Sequence, residues 1–235
     1  EREGQDRFSL ELPVDQQEFI KELYKVNPNT VVVLVAGSSM AVNWMDENVP
    51  AILNAWYPGE QGGNAVAEVL FGDYNPGGRL PLTYYNSLDE IPAFDNYFVK
   101  GRTYQYFEGQ PLYEFGYGLS YTKFRYKSKG VNVEQDTVKV SFEVSNTGKY
   151  DGDEVTQVYV KYPETGTYMP LKQLHGFKRV HIKKGKTSKV TIGVPKKDLR
   201  YWDEQERKFV TPKGEYTFMV GASSDDIKFR ETVGL

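Results

Sequence analysis

The sequence contains no cysteine. Disulfides, zinc–thiolate sites and cysteine nucleophiles are therefore excluded together. Its two histidines, His175 and His181, cannot build a multi-histidine metal cage and leave few ways to assemble a Ser-His-Asp triad. Neither sign of charge dominates: 29 Lys and Arg stand against 32 Asp and Glu, a net charge of −3. That balance excludes an overall basic nucleic-acid or membrane-surface binder, though not a local patch. No apolar run approaches the roughly eighteen residues of a membrane-spanning helix. No Asn-x-Ser/Thr sequon occurs. The chain opens Glu1-Arg2-Glu3-Gly4, without an initiating Met, a charged n-region or an apolar h-region. It therefore does not read as a signal peptide, and it reads as an interior piece of something longer.

What is present is 235 residues with 18 Tyr, 13 Phe and 3 Trp. This length suits one large domain or two small ones and can bury a core without staples. Aromatics in such number suit sugar stacking and β-sandwich packing equally. Two textures follow one another. In residues 1–92, Phe19, Ile20, Leu23 and Tyr24 recur at helical spacing behind Asp15 and Glu18, which resemble a capping box. A helix is predicted over about 15–26, stopped by Asn27-Pro28-Asn29. Val31 to Ala36 is a continuous, mostly β-branched apolar run, the pattern of a strand buried on both faces of a parallel sheet. Ala51 to Trp56 predicts a second strand, and Ala65 to Phe71 a helix ended by Gly72. Helix, strand, strand, helix implies an open α/β layer whose sheet is only partly contained in this chain.

Residues 93–121 are rich in Gly and Tyr but poor in Ser, which predicts an ordered connector and not a flexible tether. From residue 122 onward the period becomes two. Val138, Val140, Phe142 and Val144 alternate with polar residues, as do Tyr216, Phe218 and Val220. With turn signals at Asn146-Thr147-Gly148, Asp151-Gly152, Lys184-Gly185 and Pro212-Lys213-Gly214, this predicts about seven strands in a sandwich of the immunoglobulin or fibronectin type III kind.

Few residues carry chemistry by type and spacing alone. Pro58 to Gly63 precedes a helix but lacks the Lys-Ser/Thr of a P-loop and the spacing of a dinucleotide fingerprint, so it reads as a tight turn. This disfavours a Rossmann-like nucleotide binder. Ser38 and Ser39 follow the buried strand, where α/β proteins place functional groups, but no G-x-S-x-G elbow is present. Both histidines read as structural. Glu1, Glu3 and Asp6 cluster with Arg2 and Arg7. Crowded carboxylates can do general acid–base work, yet by composition alone the cluster is a solvated mixed-charge tail.

Several ordered motifs change that weighing. Glu3-Gly4-Gln5-Asp6-Arg7 is followed by Leu10-Glu11-Leu12-Pro13, Ala55-Trp56-Tyr57-Pro58-Gly59 and Leu70-Phe71-Gly72-Asp73-Tyr74-Asn75-Pro76-Gly77-Gly78-Arg79-Leu80-Pro81. Then come Phe115-Gly116-Tyr117-Gly118-Leu119-Ser120-Tyr121-Thr122 and Leu174-His175-Gly176-Phe177. Together these resemble family 3 glycoside hydrolases, the β-glucosidases and β-xylosidases, over essentially the whole chain. The resemblance implies the end of an α/β-sandwich domain (1–92), a connector (93–121) and a fibronectin type III-like domain (122–235). It implies a retaining, two-carboxylate mechanism with Glu3 as acid/base and Glu1 as the fallback. Asp6 and Arg7 would support that loop, and Trp44 would be either a stacking face for the sugar or a packed core indole. The nucleophilic aspartate would lie on an N-terminal (β/α)8 barrel that nothing here matches. No cofactor or metal is implied. The expected partners are a carbohydrate substrate, the barrel of the same enzyme and a second copy in a homodimer, with no nucleic acid and no membrane. The alternative is a non-catalytic carbohydrate- or protein-binding, or purely structural, module.

Overall fold

A computed structural model describes residue 4 and residues 7–235. The chain divides into two compact units. The first comprises residues 1–74, 82–102 and 108–113, and the second residues 75–81, 103–107 and 114–235.

The first unit opens with α1 (Val14–Val26). The capping box predicted from Asp15 and Glu18 does not form. Pro13 occupies the N-cap with no side-chain cap bond, its carbonyl accepts from the amides of Gln16 and Gln17, and Glu18 pairs with Lys21 instead. A proline carbonyl thus does the work assigned to the Asp15 side chain. Asn27 ends the helix in extended conformation, as expected of a residue before proline. β1 (Val31–Leu34) and β2 (Ala51–Asn54) pair in parallel, Val31 opposite Ala51 and Leu34 opposite Asn54. Between them lies α2 (Asn43–Asn48), which periodicity missed because six residues are too few to show a helical stripe. α3 (Gly62–Phe71) ends on Gly72 in the left-handed conformation. Val32, Leu34, Met40, Val42, Met45 and Val49 form the core, with Leu12, Ile20, Trp44 and Ile52 packed against it.

The second unit holds α4 (Thr103–Tyr106) and nine strands among the described residues: β3 (Phe124–Val133), β4 (Thr137–Asn146), β5 (Gly152–Lys161), β6 (Gln173–Ile182), β7 (Thr187–Pro195), β8 (Tyr201–Asp203), β9 (Lys208–Val210), β10 (Glu215–Gly221) and β11 (Ile227–Gly234). Seven of them form two antiparallel sheets, ordered β11-β10-β5-β6 and β3-β4-β7, while β8 and β9 form a separate hairpin. The period-two pattern is realised residue by residue. Val138, Val140, Phe142 and Val144 from β4 meet Tyr216, Phe218 and Val220 from β10 in one buried cluster. Tyr216 is fully buried, and its hydroxyl donates to the Pro212 carbonyl four residues upstream, 2.7 Å away. This is the tyrosine corner that recurs in immunoglobulin-like sandwiches. Burial pushes that hydroxyl's pKa up to about 12.

Two sequence motifs outside the strands are built into this unit. Leu80 and Gly116 exchange backbone bonds with Tyr117 and Leu80, and Ser224 donates its amide to the Phe115 carbonyl. Gly116 has φ +83°, and a Cβ there would lie 2.2 Å from the Gln157 side-chain oxygen, so only glycine fits. Arg79 reaches the buried Glu154 carboxylate at 2.7 Å, and Tyr126 donates to its other oxygen at 2.6 Å. Burial pushes the Glu154 carboxyl up, against the downward pull of Tyr126 and Arg79.

Two outcomes follow for stability. Glu154→Ala leaves Arg79 and Tyr126 facing each other without an acceptor and should cost about 3–5 kcal/mol in urea unfolding, whereas Tyr126→Phe should cost about 1–3 kcal/mol. Equal midpoints for both variants would refute the hub role of Glu154. His175 meets the Tyr162 hydroxyl at 2.8 Å. Burial lowers its pKa below the ordinary 6.5, with Asp198 pulling weakly the other way. The unfolded chain therefore takes up a proton before the folded one does. This contribution is fully present above pH 6.5 and is lost as pH falls through that value toward the folded pKa. The melting temperature of His175→Gln should depend less on pH between about 7 and 5 than that of the parent.

Candidate functional site

In an open parallel sheet the carboxyl ends of the strands are where groups converge without a partner strand to bind them. The first unit gathers its polar groups there. β1 runs into Gly37-Ser38-Ser39-Met40, and β2 runs from Asn54 into Ala55-Trp56-Tyr57. Trp56 adopts φ +53°, an uncommon and strained conformation for a bulky residue. The turn it makes lays the Tyr57 ring against Gly37, where a Cβ would come within 2.5 Å of the ring carbon Cε2.

Arg7 is the cation of this edge. One guanidinium nitrogen donates to the Ser38 hydroxyl at 2.8 Å and to the Ser39 carbonyl at 2.7 Å, and the other meets the Met40 sulfur. Downstream, the Ala41 amide donates to the Leu10 carbonyl at 2.8 Å, and Glu11 bridges Ala41 in parallel. The segment behind Arg7 is thereby laced along the continuation of β1. Beside it, Asn54 donates to the hydroxyl of Tyr84, which is 3 % exposed. Burial raises the Tyr84 pKa, while the Asn54 bond and the Arg7 charge pull it down. The Tyr84 backbone bonds that of Tyr113, and the Tyr113 hydroxyl donates to Asp46.

Of the residues singled out in the sequence, Arg7, Ser38 and Ser39 come together here. Glu1, Glu3 and Asp6 lie outside the described residues. Trp44 is half-buried on α2, edge-on to Tyr24 at 5.7 Å between centroids, with the Lys21 ammonium over its ring at 5.8 Å. Asn54 and Tyr84 escaped the sequence reading, and Tyr57 entered it only within the Ala55 to Gly59 motif. Asn54 was foreshadowed only by its place at a strand end, and Tyr84 by nothing, since its role depends on a contact thirty residues away. Among the described residues no three His, Asp or Glu gather as a metal site. What the edge offers chemically is a fixed cation and hydroxyl donors, able to hold an acidic segment and to favour negative charge beside it.

Comparison with known proteins identifies the family. The model of the glycosyl hydrolase family 3 C-terminal domain matches residues 1–121, and that of a fibronectin type III-like domain matches residues 154–224. A xylan 1,4-beta-xylosidase of Xylanibacter ruminicola is 42% identical over 95% of this chain and 26% of its own length. A beta-glucosidase of Kluyveromyces marxianus is 38% identical over 97% of this chain and 28% of its own. The crystal structure of selenomethionine-labelled beta-glucosidase from Kluyveromyces marxianus superposes with a TM-score of 0.92 at 37% identity, covering 100% of this chain and 30% of that one. The chain thus spans about a quarter to a third of the length of the relatives it matches. Its α/β layer, its fibronectin-like sandwich and these matches together place the chain in glycosyl hydrolase family 3, as a C-terminal part.

Proposed function

We propose that this chain is the C-terminal part of a retaining, exo-acting β-glycosidase that removes terminal β-D-glucosyl or β-D-xylosyl residues. It supplies the acid/base carboxyl, Glu3, while the nucleophilic aspartate stands on a barrel outside these 235 residues. The observation that carries this reading is the anchoring of Arg7 at the carboxyl end of the parallel strands. Glu3 precedes that anchor by four residues in the sequence. Relatives named as a beta-xylosidase and a beta-glucosidase, similar over 95% and 97% of this chain, support the substrate class.

In this reading the nucleophile attacks the anomeric carbon as Glu3 gives its proton to the leaving oxygen. A glycosyl-enzyme forms. Glu3, now a carboxylate, takes a proton from water, which attacks the same carbon and frees the nucleophile. Arg7 is a positioning residue here, holding the segment by three contacts.

In the barrel-containing polypeptide, Glu3→Gln should slow glycosides with poor leaving groups by roughly 10²–10⁴-fold. It should spare activated aryl glycosides at the first step and let azide rescue their turnover as β-glycosyl azide. Glu1→Gln should do neither; rescue confined to the Glu1 variant would move the role by two residues. Arg7→Ala should raise amide exchange at Glu11 and Ala41 by roughly tenfold, the loss of about one buried charged hydrogen bond. It should leave exchange within α1 unchanged. Unaltered exchange at Ala41 would refute the anchor.

A further inference from the structure

Charge is distributed unevenly along this nearly neutral chain. Residues of the first unit carry 6 Lys and Arg against 16 Asp and Glu; those of the second carry 23 against 16. The asymmetry peaks between residues 171 and 197, which hold nine Lys or Arg and no Asp or Glu. β6 and β7 form most of that stretch, joined by the exposed turn Lys183-Lys184-Gly185-Lys186.

The turn continues a sheet face. The Asn146 amide at the end of β4 donates to the Lys186 carbonyl, and the Gly185 amide donates to the Asn146 carbonyl. The outward row next to it is Arg125, Ser145 and Thr187, and the following row is Lys127, Glu143 and Lys189. Three carboxylates lie on this face or beside its turn, and Glu134 is taken by Lys139 at 2.8 Å. Glu143 is taken by Lys129 at 3.1 Å, and Asp151 accepts the Lys184 backbone amide at 2.8 Å. Arg125, Lys127, Lys183, Lys184, Lys186 and Lys189 make no ion pair with any described residue. Between the cations runs a ladder of hydroxyls: Ser145 meets Thr187 at 2.7 Å, and Ser141 meets Thr191 at 3.0 Å.

Lysines on edge strands guard against edge-to-edge pairing. Such protection requires one or two charges and would not empty a stretch of 27 residues of every acid. We infer that the outer face of the β3-β4-β7 sheet, with the β6–β7 turn, is a docking surface for an acidic polysaccharide, a sugar polymer bearing carboxylates. The unpaired cations supply long-range attraction, and the hydroxyl ladder exchanges hydrogen bonds with a polymer that is itself a row of hydroxyls. A single-stranded nucleic acid would call for aromatic platforms between the cations, and the outward rows named here contain none. The preference for a sugar polymer over other polyanions rests on the proposed glycosidase reading. The surface is remote in sequence from Glu3 and serves to concentrate the enzyme on a charged polymer.

The test is affinity electrophoresis of the 235-residue chain in gels containing polygalacturonate, neutral galactomannan or double-stranded DNA, with flotation on phosphatidylglycerol vesicles alongside. Retardation by polygalacturonate alone is expected at low salt, abolished near 1 M NaCl, where the screening length is about 3 Å. The variant Lys183→Glu/Lys184→Glu/Lys186→Glu should bind roughly tenfold more weakly or worse. The variant Lys161→Glu/Lys208→Glu/Lys213→Glu changes net charge equally away from this face and should bind as the parent does. All six side chains are exposed, so both variants should melt with the parent. No retardation by polygalacturonate, equal losses in the two variants, or equally tight binding of DNA or vesicles would overturn the inference. None of these readings uses hydrolysis, so failure here leaves the glycosidase reading to its own kinetic test.

Discussion

The carboxylate of Glu154 is 2 % exposed inside the sandwich, and a charge there must be met by donors or expelled. Its two donors come from opposite directions in the sequence. Tyr126 stands on β3, and Arg79 belongs to the Pro-Gly-Gly-Arg-Leu-Pro segment that follows α3. Burial and Glu154 together push the Tyr126 hydroxyl pKa far up, so it remains a donor at any working pH. One buried acceptor thus obliges residues 75–81 to pack with the fibronectin-like strands. Asn75 strengthens the attachment by accepting from Ser120 and from the Tyr121 amide and by donating to the Asp151 carbonyl. The Phe115-Gly116-Tyr117-Gly118 segment is fixed by the same logic, through Gln157 and the Leu80 backbone.

In the first unit the constraint is geometric. Two parallel strands in register deliver their carboxyl ends side by side, and both chains must turn away at once. β1 does so through Gly37 and two serines, and β2 through a left-handed Trp56. The β1 turn presents the Ser38 hydroxyl and the Ser39 carbonyl, and Arg7 donates to both. A segment that enters the fold at this point is positioned by the strands it leads into. On the proposed reading, that anchor is what suits a motif of mixed charge to acid–base work.

Much of this fold was legible in residue order. The apolar run at 31–36 marked a strand of the parallel sheet, but not one buried on both faces: Val32 and Leu34 are buried while Val31 and Val35 are exposed, because α/β cover lies on one side of β1 only among the described residues. The alternation from Val138 to Val144 showed which face of β4 is core. The failures were local. Asp15 looked like a cap, but Pro13 with its own carbonyl was better placed. α2 was too short to show a period. The strand at 51–56 ended two residues early because Trp56 left the extended region, which no side-chain pattern announces. The candidate site was legible only in fragments. Ser38, Ser39 and Arg7 were each marked, but their meeting spans more than thirty residues and needed the β1 turn to be built. The role given to Glu3 came from resemblance, since spacing alone left it a solvated tail.

The central claim is a division of labour: the acid/base carboxyl within these residues and the nucleophile beyond them. It is tested most directly by trapping the covalent intermediate. The barrel-containing polypeptide, inactivated with an activated 2-deoxy-2-fluoro-β-glycoside, is digested and the labelled peptide identified by mass spectrometry. The account predicts a single labelled aspartate outside residues 1–235, with Glu3 unmodified. A fluoroglycosyl group on Glu3, or on any carboxylate of this chain, would contradict it.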